Sequence, residues 1–151
     1  MIAHPPCTFL ARSAARWIYD DRYPNRVQDQ NKAIEFVIKL YESSIPMVVI
    51  ENPIGILSTK WKKPDQIIHP WMFGDAASKA TCLWLKNLPK LNPTSIVSPE
   101  IHTTKLGKKY DKWWFDTCRI QNLEERRRVR SKTFDGIAYA MAEQWGGLRN
   151  D

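Results

Sequence analysis

The run MVVIENP, residues 47–53, is apolar for its first four residues, then turns polar and stops at a proline. A continuous apolar run of this length suits a strand buried on both faces, the kind found in parallel sheets. Pro53 terminates it, because proline cannot donate to a sheet ladder. Just upstream, residues 30–43 are predicted to be a helix: Ile34, Val37, Ile38 and Tyr41 recur at helical spacing and share one face, and Pro46 ends the segment. Further upstream, residues 1–4 read as the end of a buried strand stopped by Pro5-Pro6. Strand, helix, strand is the βαβ unit of a parallel sheet. Chemistry in such sheets gathers at the carboxyl ends of the strands. Cys7 follows the first strand and Glu51-Asn52 close the second, so adjacent parallel strands would bring together groups 44 residues apart.

Outward from this unit the patterns are weaker. Residues 8–29 are polar and irregular, with a short helix expected around RSAARWIY, and IGILSTKWKKPD reads as a loop or short helix. QIIHPWMFG and KATCLWLKNL read as two strands joined by the turn-like GDAAS, a hairpin that would make the sheet mixed. Trp71 and Trp84, on these strands, are expected in the core. Residues 89–132 are rich in Pro, Lys and Arg and show no period, which predicts a long basic, aromatic-containing loop region. Phe134, Ile137, Ala138, Met141, Ala142 and Trp145 form one apolar stripe of a last helix, stopped by Gly146-Gly147. The expected fold is α/β: a partial Rossmann-like sheet of parallel strands plus a C-terminal antiparallel hairpin, flanked by helices, in one domain over residues 1–151.

A chain of 151 residues can build one substantial core. No apolar run approaches the roughly 20 residues that span a bilayer, and a signal peptide is not expected. Cys7, Cys82 and Cys118 are far apart and odd in number, which argues against a disulfide framework or zinc knuckle and for a reducing cytoplasm. His4, His69 and His102 lack metal-ligand spacing and are read as structural. The formal charge is +7, and its location matters more than its size. Residues 105–132 hold ten Lys/Arg against four Asp/Glu, so nearly all of the excess lies in one segment. Tyr110, Trp113, Trp114 and Phe115 are interleaved with those charges, a pattern suited to nucleic acid, although such rings serve equally well as core. From charge alone, Arg128 and Arg130 are candidate phosphate contacts.

A strand-end cysteine can be partly exposed and can meet helix N-termini, which favour the thiolate. A glutamate beside Asn and Pro can be held in a rigid turn, as a general acid requires. PPC (residues 5–7) and ENP (residues 51–53), in this order at strand ends, resemble the Pro-Cys and Glu-Asn-Val motifs of the DNA cytosine carbon-5 methyltransferases. More closely, IAHPPCTFL, ENPIG, KPDQIIHPWMFG, KATCLWLKNLPKL and RSKTFDGIAYAMAEQW resemble a phage and prophage family of DNA cytosine methyltransferase-like proteins, over most of residues 2–146. The double proline is also similar to the Asp-Pro-Pro-Tyr motif of amino-methyltransferases, so the base remains open.

The resemblance implies that Cys7 attacks carbon 6 of a cytosine while Glu51 protonates ring nitrogen 3. It implies that Asn52 orients the loop and Pro6 shapes the turn. It places Lys79 and Thr81 roughly where the family carries an Arg-x-Arg motif touching the target nucleotide. It also implies DNA as substrate and S-adenosylmethionine as cofactor, yet no GxGxxG-like run occurs. The expectation is therefore a catalytic portion without its cofactor half: a truncated enzyme, one chain of a split enzyme, or a half-fold kept for another purpose. A long exposed apolar sheet edge would follow, and with it a homo-oligomer or a complementary chain. The competing expectation is a non-catalytic phage module that binds nucleic acid or another protein.

Overall fold

The computed structural model describes residues 1–148. They form two compact units, residues 1–68 with 80–90 and residues 69–79 with 91–148.

The first unit is built on a four-stranded mixed sheet. Its strands are β1 (Ile2–Ala3), β2 (Val48–Pro53), β3 (Gln66–Ile68) and β4 (Thr81–Lys86), in the order β1-β2-β4-β3. β1 and β2 run parallel, with Ile2 opposite Val49 and Ala3 opposite Ile50, and are joined through helix α1 (Arg26–Glu42). This is the expected strand–helix–strand unit. β4 is antiparallel to both β2 and β3. Val48, Val49 and Ile50 are all fully buried, as their uninterrupted apolar run predicts. Val48 and Ile50 pack with Trp84 and Cys82 of β4 against Ile34 and Val37 of α1.

Several local expectations change. α1 begins at Arg26, one turn earlier than the apolar period shows, because its first turn is polar and Pro24 marks the start. The helix expected near RSAARWIY is a 3-10 helix, Arg12–Trp17, and the following segment holds one turn of helix α2 (Leu57–Lys60). β3 stops at Ile68, and Pro70–Met72 turn into a 3-10 helix, since Pro70 fits a first helical position but not a ladder. Trp71 is therefore half-buried on that turn, while Trp84 is fully buried in the sheet as expected. β1 is not a buried strand: it is a two-residue edge, and Ile2 is 48 % exposed. The expected long apolar edge is thus short, a shape that discourages edge-to-edge pairing.

Residues 89–132, expected as a loop and lying from Leu91 onward in the second unit, carry a hairpin and two helices. The hairpin pairs β5 (Ile101–Thr103) with β6 (Lys109–Asp111), and the helices are α3 (Lys112–Cys118) and α4 (Leu123–Ser131). α3 is too short to display a period, and α4 has no buried residue, so neither left an apolar signature. Both are marked by caps instead: Asp111 accepts from the Trp114 amide and Asn122 from the Glu125 amide. Helix α5 (Asp135–Trp145) buries Ile137, Met141 and Trp145 of the expected stripe, but Ala140 rather than Ala138 or Ala142.

Candidate functional site

The parallel register carries the chain past Ala3 and Ile50 and sets His4 beside Glu51. His4 Nδ1 lies 2.5 Å from Glu51 Oε2. The Glu51 side chain is 12 % exposed and that of His4 42 % exposed. The contact joins a sheltered carboxyl group to an imidazole open to water. One residue on, Asn52 is 1 % exposed and its Nδ2 donates to the Pro5 carbonyl at 2.9 Å. Its Oδ1 is buried with no hydrogen-bond partner among the described residues.

The loop leaving β1 is held from end to end. The Cys7 carbonyl accepts from the amides of Leu10 (3.0 Å) and Ala11 (2.9 Å), closing a tight turn. From α1, Arg26 donates to the Thr8 carbonyl at 3.0 Å and Gln30 to the Phe9 carbonyl at 2.9 Å. The loop then pairs with the segment after β2: the Arg12 amide donates to Ile54 and the Ile56 amide to Leu10, both at 2.9 Å, around an antiparallel bridge between Ala11 and Gly55. A Cβ on Gly55 would lie 1.9 Å from the Leu10 carbonyl oxygen, so only glycine permits this approach. Buried backbone acceptors need partners, and this loop finds them while leaving the Cys7 side chain exposed. A cleft of about 440 Å³ opens beside the two loops, walled by Arg12, Ile54, Ile56, Thr59 and Lys60 among others. Neither Cys7 nor Glu51 lines it.

Of the residues singled out from sequence, Pro6, Cys7, Glu51 and Asn52 therefore share one end of the parallel pair. Thr81, in the same unit, does not join them. Thr81 is 3 % exposed, sits opposite Pro53 and Ile68 in the sheet, and presents no surface to a ligand. Lys79 belongs to the second unit, where its Nζ donates to the Arg130 carbonyl at 2.9 Å and lies over the rings of Trp113 and Phe134. Arg130 is engaged with α3: it donates to Thr117 Oγ1 at 3.2 Å and to Cys118 Sγ at 2.9 Å. Arg128 is largely exposed, with Glu125 at 3.7 Å.

Two residues of the site carry no clear mark in the sequence. His4 lacks metal-ligand spacing, and only counting it in parallel register with Glu51 reveals its place. Arg26 stands in a polar, irregular stretch. It packs over the Phe9 ring at 4.6 Å and the Tyr23 ring at 5.8 Å, and its Nε is buried without a partner among the described residues. The thiol of Cys82, on β4, is pushed up to about 11 by burial and then by the Glu51 charge, so it stays a neutral core thiol.

A glycine-rich cofactor turn of the kind S-adenosylmethionine would need does not fit the residues present. The face of Gly55 is filled by the Leu10 backbone and that of Gly136 by the Phe73 carbonyl, 1.9 Å from where a Cβ would stand. Gly107 lies in an open hairpin turn. No His/Cys/Asp/Glu group suited to a metal occurs among the described residues, and no described helix is long and apolar enough to cross a membrane. No protein-family model, curated protein or solved structure matches the chain.

Proposed function

We propose that the carboxyl end of β1 and β2 is a cytosine-addition site acting on DNA, the catalytic portion of a DNA cytosine methyltransferase-like protein. The observation that supports it best is the clamped loop of residues 5–12. Asn52 at one end and the Ala11–Gly55 bridge at the other fix the exposed Cys7 to the segment that carries Glu51. A nucleophile and an acid held on rigid neighbouring segments lose little entropy in reaching a reactive arrangement.

The chemistry available to these side chains is addition. The Cys7 thiolate forms a bond to carbon 6 of the ring, and the electron pair of the 5,6 double bond moves toward ring nitrogen 3. Glu51 delivers its proton to that nitrogen, while His4 holds the Glu51 carboxyl in place. Carbon 5 is now nucleophilic and takes up a proton from solvent. Loss of the original carbon-5 hydrogen to water, return of the nitrogen-3 proton to Glu51 and departure of Cys7 as the thiolate restore the base. In a duplex the base must first leave the stack, at a cost of a few kcal/mol. S-adenosylmethionine is the methyl donor that the resemblance implies, and a complementary chain or second copy is the setting in which its site would be supplied.

Exchange at carbon 5 tests the reading without the cofactor. DNA tritiated at cytosine carbon 5 should release label to water in the presence of the protein, and Cys7→Ser should abolish the release. Absence of release at high protein concentration would refute the addition chemistry. The mismatch with a glycine-rich cofactor turn favours one second reading, a non-catalytic nucleic-acid module. In that case DNA binding persists in Cys7→Ser and carbon 5 never exchanges.

A further inference from the structure

The hairpin and α3 of the second unit assemble rings in an unusual order. His102 and Phe115 stack at 3.8 Å between centroids and 17° between planes. Phe115 lies 6.1 Å from Tyr110 at 30°, and Tyr110 lies 5.7 Å from Trp114 at 20°. Four nearly parallel rings thus run His102, Phe115, Tyr110, Trp114, and the Arg119 guanidinium sits 5.5 Å over Phe115. Rings that served only as a small core would bury the largest member. Here the outermost ring, Trp114, is 47 % exposed. Its backbone is fixed, because the Trp114 amide donates to Asp111 Oδ1 and the Trp114 carbonyl accepts from Thr117.

The charges around this ladder have one sign to spare. Lys105, Lys108 and Lys109 are exposed at the hairpin turn, and neither they nor Arg119 form an ion pair among the described residues. The nearby acids are occupied. Asp111 accepts from the amides of Trp114 and Ser78, while Asp116 and Glu100 face Lys112 at 2.7 and 4.0 Å. The turn itself is well formed, with Thr104 and Lys108 bonded across it and Gly107 at a positive φ. A rigid, half-exposed indole at the end of a ring stack, with exposed lysines on the adjoining hairpin and Arg119 over Phe115, has the chemistry that binds unpaired bases and their phosphates.

We infer that the Trp114 end of this ladder, with Lys105, Lys108, Lys109 and Arg119, is a binding site for single-stranded DNA. A base continues the stack on Trp114 while the cations follow the phosphates. The site lies wholly within the second unit and does not depend on Cys7 chemistry, so carbon-5 exchange and strand binding can fail separately.

The test is titration of the full chain with fluorescein-labelled oligothymidylate at several salt concentrations. Trp114→Ala should weaken binding by about tenfold or more, and Trp114→Phe should recover most of it. The pair Lys108→Glu and Lys109→Glu should flatten the salt dependence by roughly 0.7 for each phosphate no longer neutralised. Circular dichroism of each variant establishes that the fold is kept, and the comparison of oligothymidylate with duplex and with heparin decides the matter if Trp114→Ala unfolds. Equal affinity of Trp114→Ala and the parent would overturn the inference. So would tighter binding of the equivalent duplex, or equal binding of heparin, which carries charge but no bases.

Discussion

Three cysteines in one chain meet three different fates. Cys7 is exposed in a clamped turn, Cys82 is buried in the sheet, and Cys118 accepts a hydrogen bond from Arg130. Iodoacetamide at mildly alkaline pH should therefore label Cys7 readily and leave Cys82 untouched until the protein unfolds, which peptide mass spectrometry resolves. Labelling of native Cys82 would contradict its burial. The Cys82 shift also has a stability consequence. Its folded value, about 11, stands above the ordinary 9.0, so the neutral thiol's contribution is complete below pH 9 and is lost as pH rises through about 11. Asn52 is a second measurable case. Asn52→Ala removes the donor to the Pro5 carbonyl and should cost about 1–3 kcal/mol in urea unfolding. Glu51→Gln should lower carbon-5 exchange by about 100-fold or more while leaving Cys7 alkylation unchanged, the mark of a lost acid rather than a lost fold.

Among the elements, the segment most exposed to a single change is the bridge between residues 10–12 and 54–56. Gly55→Ala forces a methyl group against the Leu10 carbonyl, a rigid backbone atom, and should destabilise the first unit by roughly 1–3 kcal/mol. Thermal unfolding followed by circular dichroism measures this, and an unchanged midpoint would mean that the two loops separate at no cost. The same elements show what can be read in advance. β2, α1 and the β3–β4 pair are legible because burial imposes an apolar run or a period on them. That the chain leaving β1 runs beside Glu51-Asn52 follows from parallel pairing alone. The hairpin and α3 are not legible: β5 and β6 have three residues each, and their order comes from ring stacking and an Asx cap rather than from a buried stripe. His4 is invisible for a related reason. Its role depends on register across the sheet, whereas a histidine among other scattered histidines carries no sign of its neighbour.

Across the whole chain, the basic excess and the proposed chemistry fall in different units. The segment 105–132, with ten basic and four acidic residues, lies entirely in the second unit, while the candidate chemistry lies in the first. Affinity for DNA should therefore fall steeply with salt and be insensitive to Cys7→Ser. Carbon-5 exchange should depend on Cys7 at any salt concentration that permits binding. Calorimetry of the chain alone with S-adenosylmethionine should show no binding heat, since no GxGxxG-like run occurs and Gly55 and Gly136 are packed against backbone. Micromolar binding would show that other residues build the cofactor site.

The clamp on residues 5–12 also has a history within each molecule. Both His4–Glu51 and Pro5–Asn52 close a span of 47 residues. The entropy of that closure, roughly 3 kcal/mol beyond a fixed initiation term, opposes folding before any contact in the clamp can offset it. Contacts of such long separation come late on a folding route, after local helix and hairpin formation. In refolding from urea, the hairpin rings should organise first, and the environment of Cys7 should change only in the phase that completes the sheet. Cys7 is thus chemically ordinary in a nascent or half-folded chain and acquires its surroundings in the last committed step.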